Sequence, residues 1–471
     1  MTQNGQLEAD VVVLGAGSAG EVVASICAAA GLRVVAVESG LVGGECPYNA
    51  CIPSKSLLLS AGRGIGWDEA VRRRDDDARH RDDSTAADQL RAAGVTLLRG
   101  RGEVHAPGVL DVARPAQGAP GAPGDLGHDR VRFRDLVLAT GSAPIVPPLP
   151  GLDGDTVWTS DQALSAAELP RRLVILGGGP VGCELAQVFA RFGSEVTLVE
   201  GGPRLLPSEP EMVGRVLAAV LRDDGVRMCL AVKAERVDDA GAGAGVTVRL
   251  DDGTVVAADR VLVATGRRPR VHGIGLERLG IDDELGLTPD EYGRVGDGVW
   301  AIGDVTAAAP FTHTATYAAR AVADTLLGRP HRLDLSAVPR AVYTDPAVLC
   351  VGLTPRQAQE RGIPLLQAGF DLDGTARAYL EGISRGRVEI YAGQDGRVLG
   401  AAAVAPRADD LMGQAVLAVR AGMDVRVWAE VIQPFPALSE AFGEPLRELA
   451  GQVTRERSGV ATPDVNSRGV G

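Results

Sequence analysis

The chain has 471 residues, a formal charge of −13 at pH 7, 61 glycines and only 4% aromatic residues. That length exceeds one hydrophobic core and sets an expectation of about three domains of roughly 100 to 200 residues each. The negative balance argues against a nucleic-acid or anionic-membrane partner, which requires clustered basic surface, and no apolar run approaches the ~20 residues of a membrane span.

Residues 1–10 carry neither a basic nor an apolar leader region, so a cytoplasmic protein is expected. Asp10 to Leu14 reads as a short buried strand, followed by Gly15-Ala-Gly17-Ser-Ala-Gly20 and an Ala-rich helical pattern over Glu21 to Ala30. A second strand, Val34 to Val37, ends in Glu38. This order is that of a dinucleotide-binding unit. Glycines permit a tight turn and close backbone approach, the helix N-terminus faces a pyrophosphate, and the acid accepts from ribose hydroxyls.

Next comes Gly43-Gly44-Glu45-Cys46-Pro47-Tyr48-Asn49-Ala50-Cys51-Ile52-Pro53-Ser54-Lys55. A disulfide needs Cα atoms roughly 4.4 to 6.8 Å apart, and an i,i+5 pair on a regular helix exceeds that. Cys46 and Cys51 must therefore straddle a distorted helix start, with Pro47 tolerated in a first turn and Pro53 disturbing the next. A thiolate at that place is stabilised by the helix dipole and free N–H groups. A redox-active pair is expected. A structural bridge is disfavoured in a reducing compartment, and zinc lacks two further ligands nearby, so no resident metal is expected. Cys27, Cys183, Cys229 and Cys350 lie in apolar stretches and read as core filler. Lysine occurs only at Lys55 and Lys233, so one of the two falls inside this motif.

The charge run Arg72 to Asp83 reads as a solvated helix face or exposed connection, and Pro115 to Gly127 as a flexible hairpin extension. The dinucleotide pattern then returns: a strand Leu173 to Leu176, Gly177-Gly-Gly179-Pro-Val-Gly182, a helix Cys183 to Phe192, and a strand Glu195 to Val199 ending in Glu200. Gly15 to Glu38 and Gly177 to Glu200 both span 23 positions, and each unit is closed by an apolar strand ending in the same tripeptide, Ala139-Thr140-Gly141 and Ala264-Thr265-Gly266. Two nucleotide sites are expected. From about Leu335 the pattern changes to strands such as Arg387 to Tyr391 and Val398 to Val404 with a helix over Asp409 to Ala421, a third domain. The polar tail after Arg455 is expected to be disordered.

The stretch Gly43-Gly44-x-Cys46-x4-Cys51-Ile-Pro-Ser-Lys55 resembles the redox motif of the class I pyridine nucleotide-disulfide oxidoreductases, the family of dihydrolipoamide dehydrogenase, glutathione reductase and mercuric reductase. Trp300-Ala-Ile-Gly303-Asp304 is similar to the family's segment whose Asp binds the flavin ribityl chain. Phe311-Thr-His313-Thr is similar to the helix start beneath the flavin pyrimidine edge. Pro339 to Pro346 and Val351 to Thr354 resemble the opening of the dimerisation domain. The resemblance covers nearly the whole chain. It implies an α/β fold with two Rossmann-like dinucleotide-binding domains, for FAD and NAD(P), plus a C-terminal α+β dimerisation domain. The implied divisions are residues 1–150 for FAD, 151–271 for the nicotinamide nucleotide, 272–335 for the second part of the FAD and central region, 336–455 for dimerisation, and 456–471 as tail.

The same resemblance implies residue roles. Cys51 lies against the flavin as charge-transfer thiol, and Cys46 is the interchange thiol facing the substrate. Lys55 sits near flavin N5 paired with Glu184, where a cation favours the electron-rich reduced flavin. Glu38, Gly44, Thr140, Gly141, Gly303, Asp304 and His313 join Gly15, Gly17 and Gly20 around FAD. Gly177, Gly179, Gly182, Glu200 and Gly266 serve the second nucleotide. Glu200 favours NADH, because a carboxylate accepts from a ribose 2′-OH and repels a 2′-phosphate, while the nearby Arg204 leaves NADPH open.

One departure is plain. Disulfide-reducing members carry His-x-His-Pro-Thr-x-x-Glu near the C-terminus, the second His acting as base for the partner subunit's interchange thiol. Here the segment reads Gln433-Pro434-Phe435-Pro436-Ala437-Leu438-Ser439-Glu440, and no His follows His331. Phenylalanine carries no proton, which removes a factor of about 10² to 10⁴ that general-base catalysis supplies. Glu440 is the remaining candidate base, or it only holds the loop.

The expected function is an FAD-dependent NAD(P)H oxidoreductase that uses Cys46 and Cys51 to pass electrons to a small acceptor, a quinone, small disulfide or metal ion. The alternatives are a conventional dithiol reductase working without the His, and a flavoprotein with a binding or regulatory role. A homodimer with shared sites is implied by the resemblance.

Overall fold

The computed structural model describes residues 7–114, 128–239, 245–282 and 286–458; the Pro115 to Gly127 loop and the tail from residue 459 lie outside them. The chain forms two compact units, Met1–Pro170 with Arg260–Leu335, and Arg171–Asp259 with Ser336–Gly471.

The first unit is built on a sheet with strand order Arg294–Gly296, Val299–Ala301, His128–Leu138, Leu7–Leu14, Val34–Glu38, Thr96–Arg99. Its central strands are parallel, pairing Val11 with Val34 and Leu14 with Leu138. Val11, Val12 and Val13 are all fully buried. An unbroken apolar run is what a strand covered on both faces requires. Helices Ser18–Ala29 and Thr312–Leu326 cover one face, packing Val23, Ala319 and Val322 against Val11, Val13 and Ala36. The hairpin Arg101–Ala106 and Val109–Ala113 covers the other, through Val104, Leu110 and Val112. Ser142–Pro144 and Arg267–Pro269 pair antiparallel as a two-stranded ribbon directly after the two matching tripeptides.

In the second unit, Arg172–Leu176, Glu195–Glu200 and Arg227–Leu230 are parallel neighbours, with Val196 opposite Leu173 and Val199 opposite Cys229. Helix Pro180–Arg191 follows the first of them. The C-terminal part is a five-stranded antiparallel sheet, order Arg340–Val342, Ala347–Gly352, Val398–Ala405, Arg387–Gly393, Leu365–Asp371. One face packs Val388, Ile390, Ala401 and Ala403 against Trp428, Phe442 and Leu446. Within this unit Arg340 forks onto Glu209, with Nε 2.8 Å from Oε1 and an Nη 2.9 Å from Oε2. Gln187 of the nucleotide part exchanges side-chain bonds with the Asp345 backbone, giving at 2.8 Å and accepting at 2.7 Å.

The helix expected over Asp409 to Ala421 is two helices, Ala408–Leu411 and Gly413–Ala421. Met412 leaves helical backbone at φ −83°, ψ 1°, with its side chain fully buried in the core, and Gly413, a poor helix former, follows it. The last helix, Gly443–Ser458, runs three residues into the expected tail.

Candidate active site

The repeated sequence pattern is matched by repeated geometry at its two turns. Gly15 has φ +98° and Gly177 φ +112°, which disfavours a side chain. A Cβ on Gly20 would lie 1.9 Å from the Gly15 carbonyl oxygen, and one on Gly182 would lie 1.9 Å from that of Gly177. Glu38 accepts the backbone N–H groups of Ala16 at 2.7 Å and Gly40 at 2.6 Å; Glu200 accepts those of Gly178 at 2.7 Å and Gly202 at 2.6 Å. Each acid is thereby pinned to its own glycine turn, and each oxygen keeps a second lone pair. The helices after both turns start at Gly17 and Gly179 without a side-chain cap, so the N–H groups of their first turns, except at Pro180, which has none, stay available to a phosphate. Both cradles fit a dinucleotide.

Gly44 of the cysteine motif packs against the first turn, since a Cβ there would lie 3.0 Å from Gly17 Cα. The closing tripeptides brace the ribbon: Thr140 Oγ1 donates to the Arg270 carbonyl at 2.6 Å, and Thr265 Oγ1 to that of Ile145 at 2.9 Å. Gly141 and Gly266 have positive φ, +74° and +131°. Gly303 opens a short turn that presents Asp304, whose Oδ2 accepts from Ser142 Oγ at 2.7 Å.

Between the cysteines the backbone breaks, as a disulfide-capable pair requires. Helices Glu45–Tyr48 and Cys51–Gly62 are separated by Asn49 (φ −129°) and Ala50 (φ −137°, ψ −90°). Pro53 is not the disturbance expected of it. It lies in the first turn of the second helix, where a missing N–H removes no helical bond. Thr312 Oγ1, at the start of its helix, donates to Cys46 Sγ at 3.3 Å and lies 3.8 Å from Cys51 Sγ. Both thiols are free.

The Cys46 thiol is lowered to about 6, first because the Cys51 thiol donates to it, then through the Thr312 hydroxyl and the Lys55 charge, against its burial. Cys51 is pushed well above the ordinary thiol range because it is the donor to Cys46 and is itself buried. The pair thus gives up one proton readily and holds the other. That first proton belongs to the pair, which shares it across the two sulfurs, and the family resemblance assigns the flavin-facing thiolate to Cys51. Lys55 Nζ donates to Ser54 Oγ at 3.2 Å. Glu184 belongs to the second unit and accepts the Tyr343 N–H at 2.9 Å. The His313 ring stacks on Phe311 with centroids 5.2 Å apart.

Sequence reasoning missed a shell of charged residues around the cysteine turn. Glu45 Oε2 meets an Arg267 Nη at 2.5 Å and Oε1 an Arg270 Nη at 2.7 Å. Arg267 also donates through Nε to Ser142 Oγ at 2.8 Å, the same hydroxyl that meets Asp304. Arg81 donates to Asn49 Oδ1 at 3.1 Å. The charge run is therefore more than a solvated face. Its Arg74 is almost fully buried and donates to the Ala166 carbonyl at 2.7 Å, Asp77 accepts from Ser56 Oγ at 2.6 Å, and Asp83 accepts the Val42 N–H at 2.6 Å. These are contacts across long sequence separations, which a local charge pattern does not encode. Arg267 and Arg270 had one signal available, their place within four residues after Gly266.

In the C-terminal segment the Phe435 ring is 77% exposed. Glu440 Oε1 accepts the Ala437 N–H at 2.7 Å, closing the turn Leu438–Phe442. Gln433 Nε2 donates to Gln414 Oε1 at 3.1 Å.

Two dinucleotide cradles with an acidic dithiol at a helix start beside the first define a flavin disulfide oxidoreductase dependent on NAD(P)H. Residues 9–322 match the pyridine nucleotide-disulphide oxidoreductase model and residues 338–446 its dimerisation domain. The chain belongs to this family, whose cofactors are FAD and NAD(P)H. It is 34% identical to dihydrolipoyl dehydrogenase of Halobacterium salinarum, over 94% of this chain and 96% of that one. It is 36% identical to mercuric reductase of Streptomyces lividans, over 92% and 94%. A solved structure of the HOCl-induced flavoprotein disulfide reductase RclA from Escherichia coli, in complex with Cu(II), matches with a TM-score of 0.83 at 28% identity, over 94% of this chain and 99% of that one. Among the described residues no helix is long and apolar enough to cross a membrane.

Proposed function

We propose that this enzyme passes electrons from NADH through FAD and the Cys46/Cys51 pair to a small acceptor, a quinone, a small disulfide or a metal ion, and not to a large dithiol. The supporting observation is the segment around Phe435. A ring that cannot carry a proton stands where the resemblance implies the base, and Glu440 spends an oxygen on closing its own turn. The Cu(II) complex of RclA keeps a metal ion among the acceptors.

In this reading residues 1–150 and 272–335 hold FAD, residues 151–271 hold the nicotinamide nucleotide, and residues 336–455 form a homodimer. FAD supplies hydride acceptance from the nicotinamide and electron delivery to a disulfide or acceptor. The protein's part is to hold the phosphates on the two uncapped helix starts, to fix the adenosine riboses by Glu38 and Glu200, and to keep Cys46 ionised near neutral pH. Lys55 supplies the positive charge beside the thiols. Exposed Val427, Val431, Ile432 and Phe435 on the C-terminal part favour a subunit contact, and sedimentation should find a dimer; an active monomer would refute it. The protein acts in the cytoplasm.

The test is a steady-state screen of quinones, small disulfides, Cu(II), Hg(II) and lipoamide with NADH and NADPH, comparing the wild type with Cys46→Ser. Turnover of a small acceptor that collapses in the variant, with NADH preferred and lipoamide poor, is the expected result. Rapid lipoamide turnover would sink the reading. A second reading, a dihydrolipoyl dehydrogenase working without the base, draws on the curated relatives of that name. It requires Phe435→His to raise lipoamide turnover.

A further inference from the structure

The turn joining the two cysteines is held at both ends by charged partners from other parts of the first unit. Glu45, the residue before Cys46, takes Arg267 on one carboxylate oxygen and Arg270 on the other. Asn49, two residues before Cys51, takes Arg81, which is itself anchored to Ser165 Oγ at 2.9 Å and Asp75 at 3.4 Å. Between them Tyr48 is buried. Arg267 has a second anchor in Ser142, so the clamp is continuous with the ribbon and with Asp304.

We propose that Glu45 with Arg267 and Arg270, and Asn49 with Arg81, are positioning groups that set the dithiol–disulfide equilibrium of Cys46 and Cys51. Forming the S–S bond joins the two sulfurs with loss of two protons and two electrons, and orders the intervening turn. A turn already ordered in the dithiol loses less conformational entropy when the bond closes, so the clamp raises the effective concentration of one thiol at the other and stabilises the disulfide. Charge-assisted bonds are the stronger class, and releasing Glu45 removes two of them at once.

The proposal rests on the reading that the pair cycles between dithiol and disulfide, and the experiment separates the two. FAD-loaded protein is equilibrated in glutathione buffers, in which glutathione disulfide takes the two electrons and becomes two thiols. The state of Cys46 and Cys51 is then read by thiol trapping and peptide mass spectrometry. Glu45→Gln, Arg270→Gln and Arg81→Gln are compared with wild type, with flavin absorbance and melting temperature as controls for folding. The expected result is a roughly tenfold fall in the equilibrium constant for disulfide formation in Glu45→Gln, equal to about 30 mV toward a more oxidising couple. Smaller shifts of the same sign are expected in the other two, and partial recovery in Glu45→Asp. If Glu45→Gln does not fold, the two arginine variants decide. Wild-type equilibrium constants within twofold, or a shift toward a more reducing couple, would overturn the clamp. A wild type that forms no Cys46–Cys51 disulfide in any buffer would overturn the underlying reading and the clamp with it.

Discussion

Thr312 is one hydroxyl placed against two sulfurs, and it carries the most direct prediction at the scale of the residue. A hydrogen bond to an ionised group contributes about 1.5 to 3 kcal/mol, and one pKa unit corresponds to about 1.4 kcal/mol. The thiolate of Cys46 is present above its pKa of about 6 and lost below it, so alkylation of Cys46 should rise with pH through about 6 and level off near neutrality. Thr312→Val removes a donor to the thiolate and should move that midpoint up by about one unit, with Thr312→Ser restoring it. Lys55→Met should move it in the same direction, since the cation favours the charged form. An unchanged profile in both would mean that neither group supports the thiolate.

At the scale of the element, the two helix starts are the same construction used twice, and a single added carbon at each tests the proposed division of FAD and NADH between them. In Gly182→Ala the added Cβ meets the Gly177 carbonyl oxygen at 1.9 Å, an overlap only a shift of helix Pro180–Arg191 can relieve. That shift moves the uncapped N–H groups, so NADH affinity should fall by at least about a hundredfold, or roughly 2.7 kcal/mol, while flavin content stays at the wild-type level. Gly20→Ala should do the reverse and yield apoprotein. Titration of NADH fluorescence and the flavin-to-protein absorbance ratio check the pair. Loss of flavin in Gly182→Ala would contradict the independence of the two cradles. At the helix Pro355–Glu360, Thr354 and Gln357 form a reciprocal capping box, and Thr354→Ala should lower stability by about 1 kcal/mol in urea unfolding.

At the scale of the whole molecule, the joint between the nucleotide part and the C-terminal sheet within the second unit includes several long-range polar side-chain pairs. Arg340 on Glu209 is one of them: both side chains are largely buried and the fork is bidentate. Arg340→Met leaves the Glu209 carboxylate without its cation and should destabilise the protein by roughly 2 to 4 kcal/mol, while the Arg340→Met, Glu209→Leu double variant should recover most of it. If the single variant unfolds at the wild-type urea midpoint, this pair contributes nothing to the joint.

The sequence by itself determined the class: glycine turns, terminal acids and closing tripeptides repeat at equal spacing because a dinucleotide constrains backbone within a few consecutive residues. It also located the cysteine pair and required the helix break, since the geometry of a disulfide is local. What only the tertiary structure decided are the contacts between distant segments: Arg267 and Arg270 on Glu45, Arg81 on Asn49, Arg74 on the Ala166 carbonyl, Thr312 against both sulfurs. An arginine reads the same in sequence whether it points into solvent or onto a buried carboxylate, so the charge run around Arg74 and Arg81 was legible as polarity and not as support. The break fell at Asn49 and Ala50 and not at Pro53, because proline in a first turn removes no hydrogen bond. Side-chain chemistry close in sequence was readable; its long-range partners waited on the fold, which alone sets which charges meet.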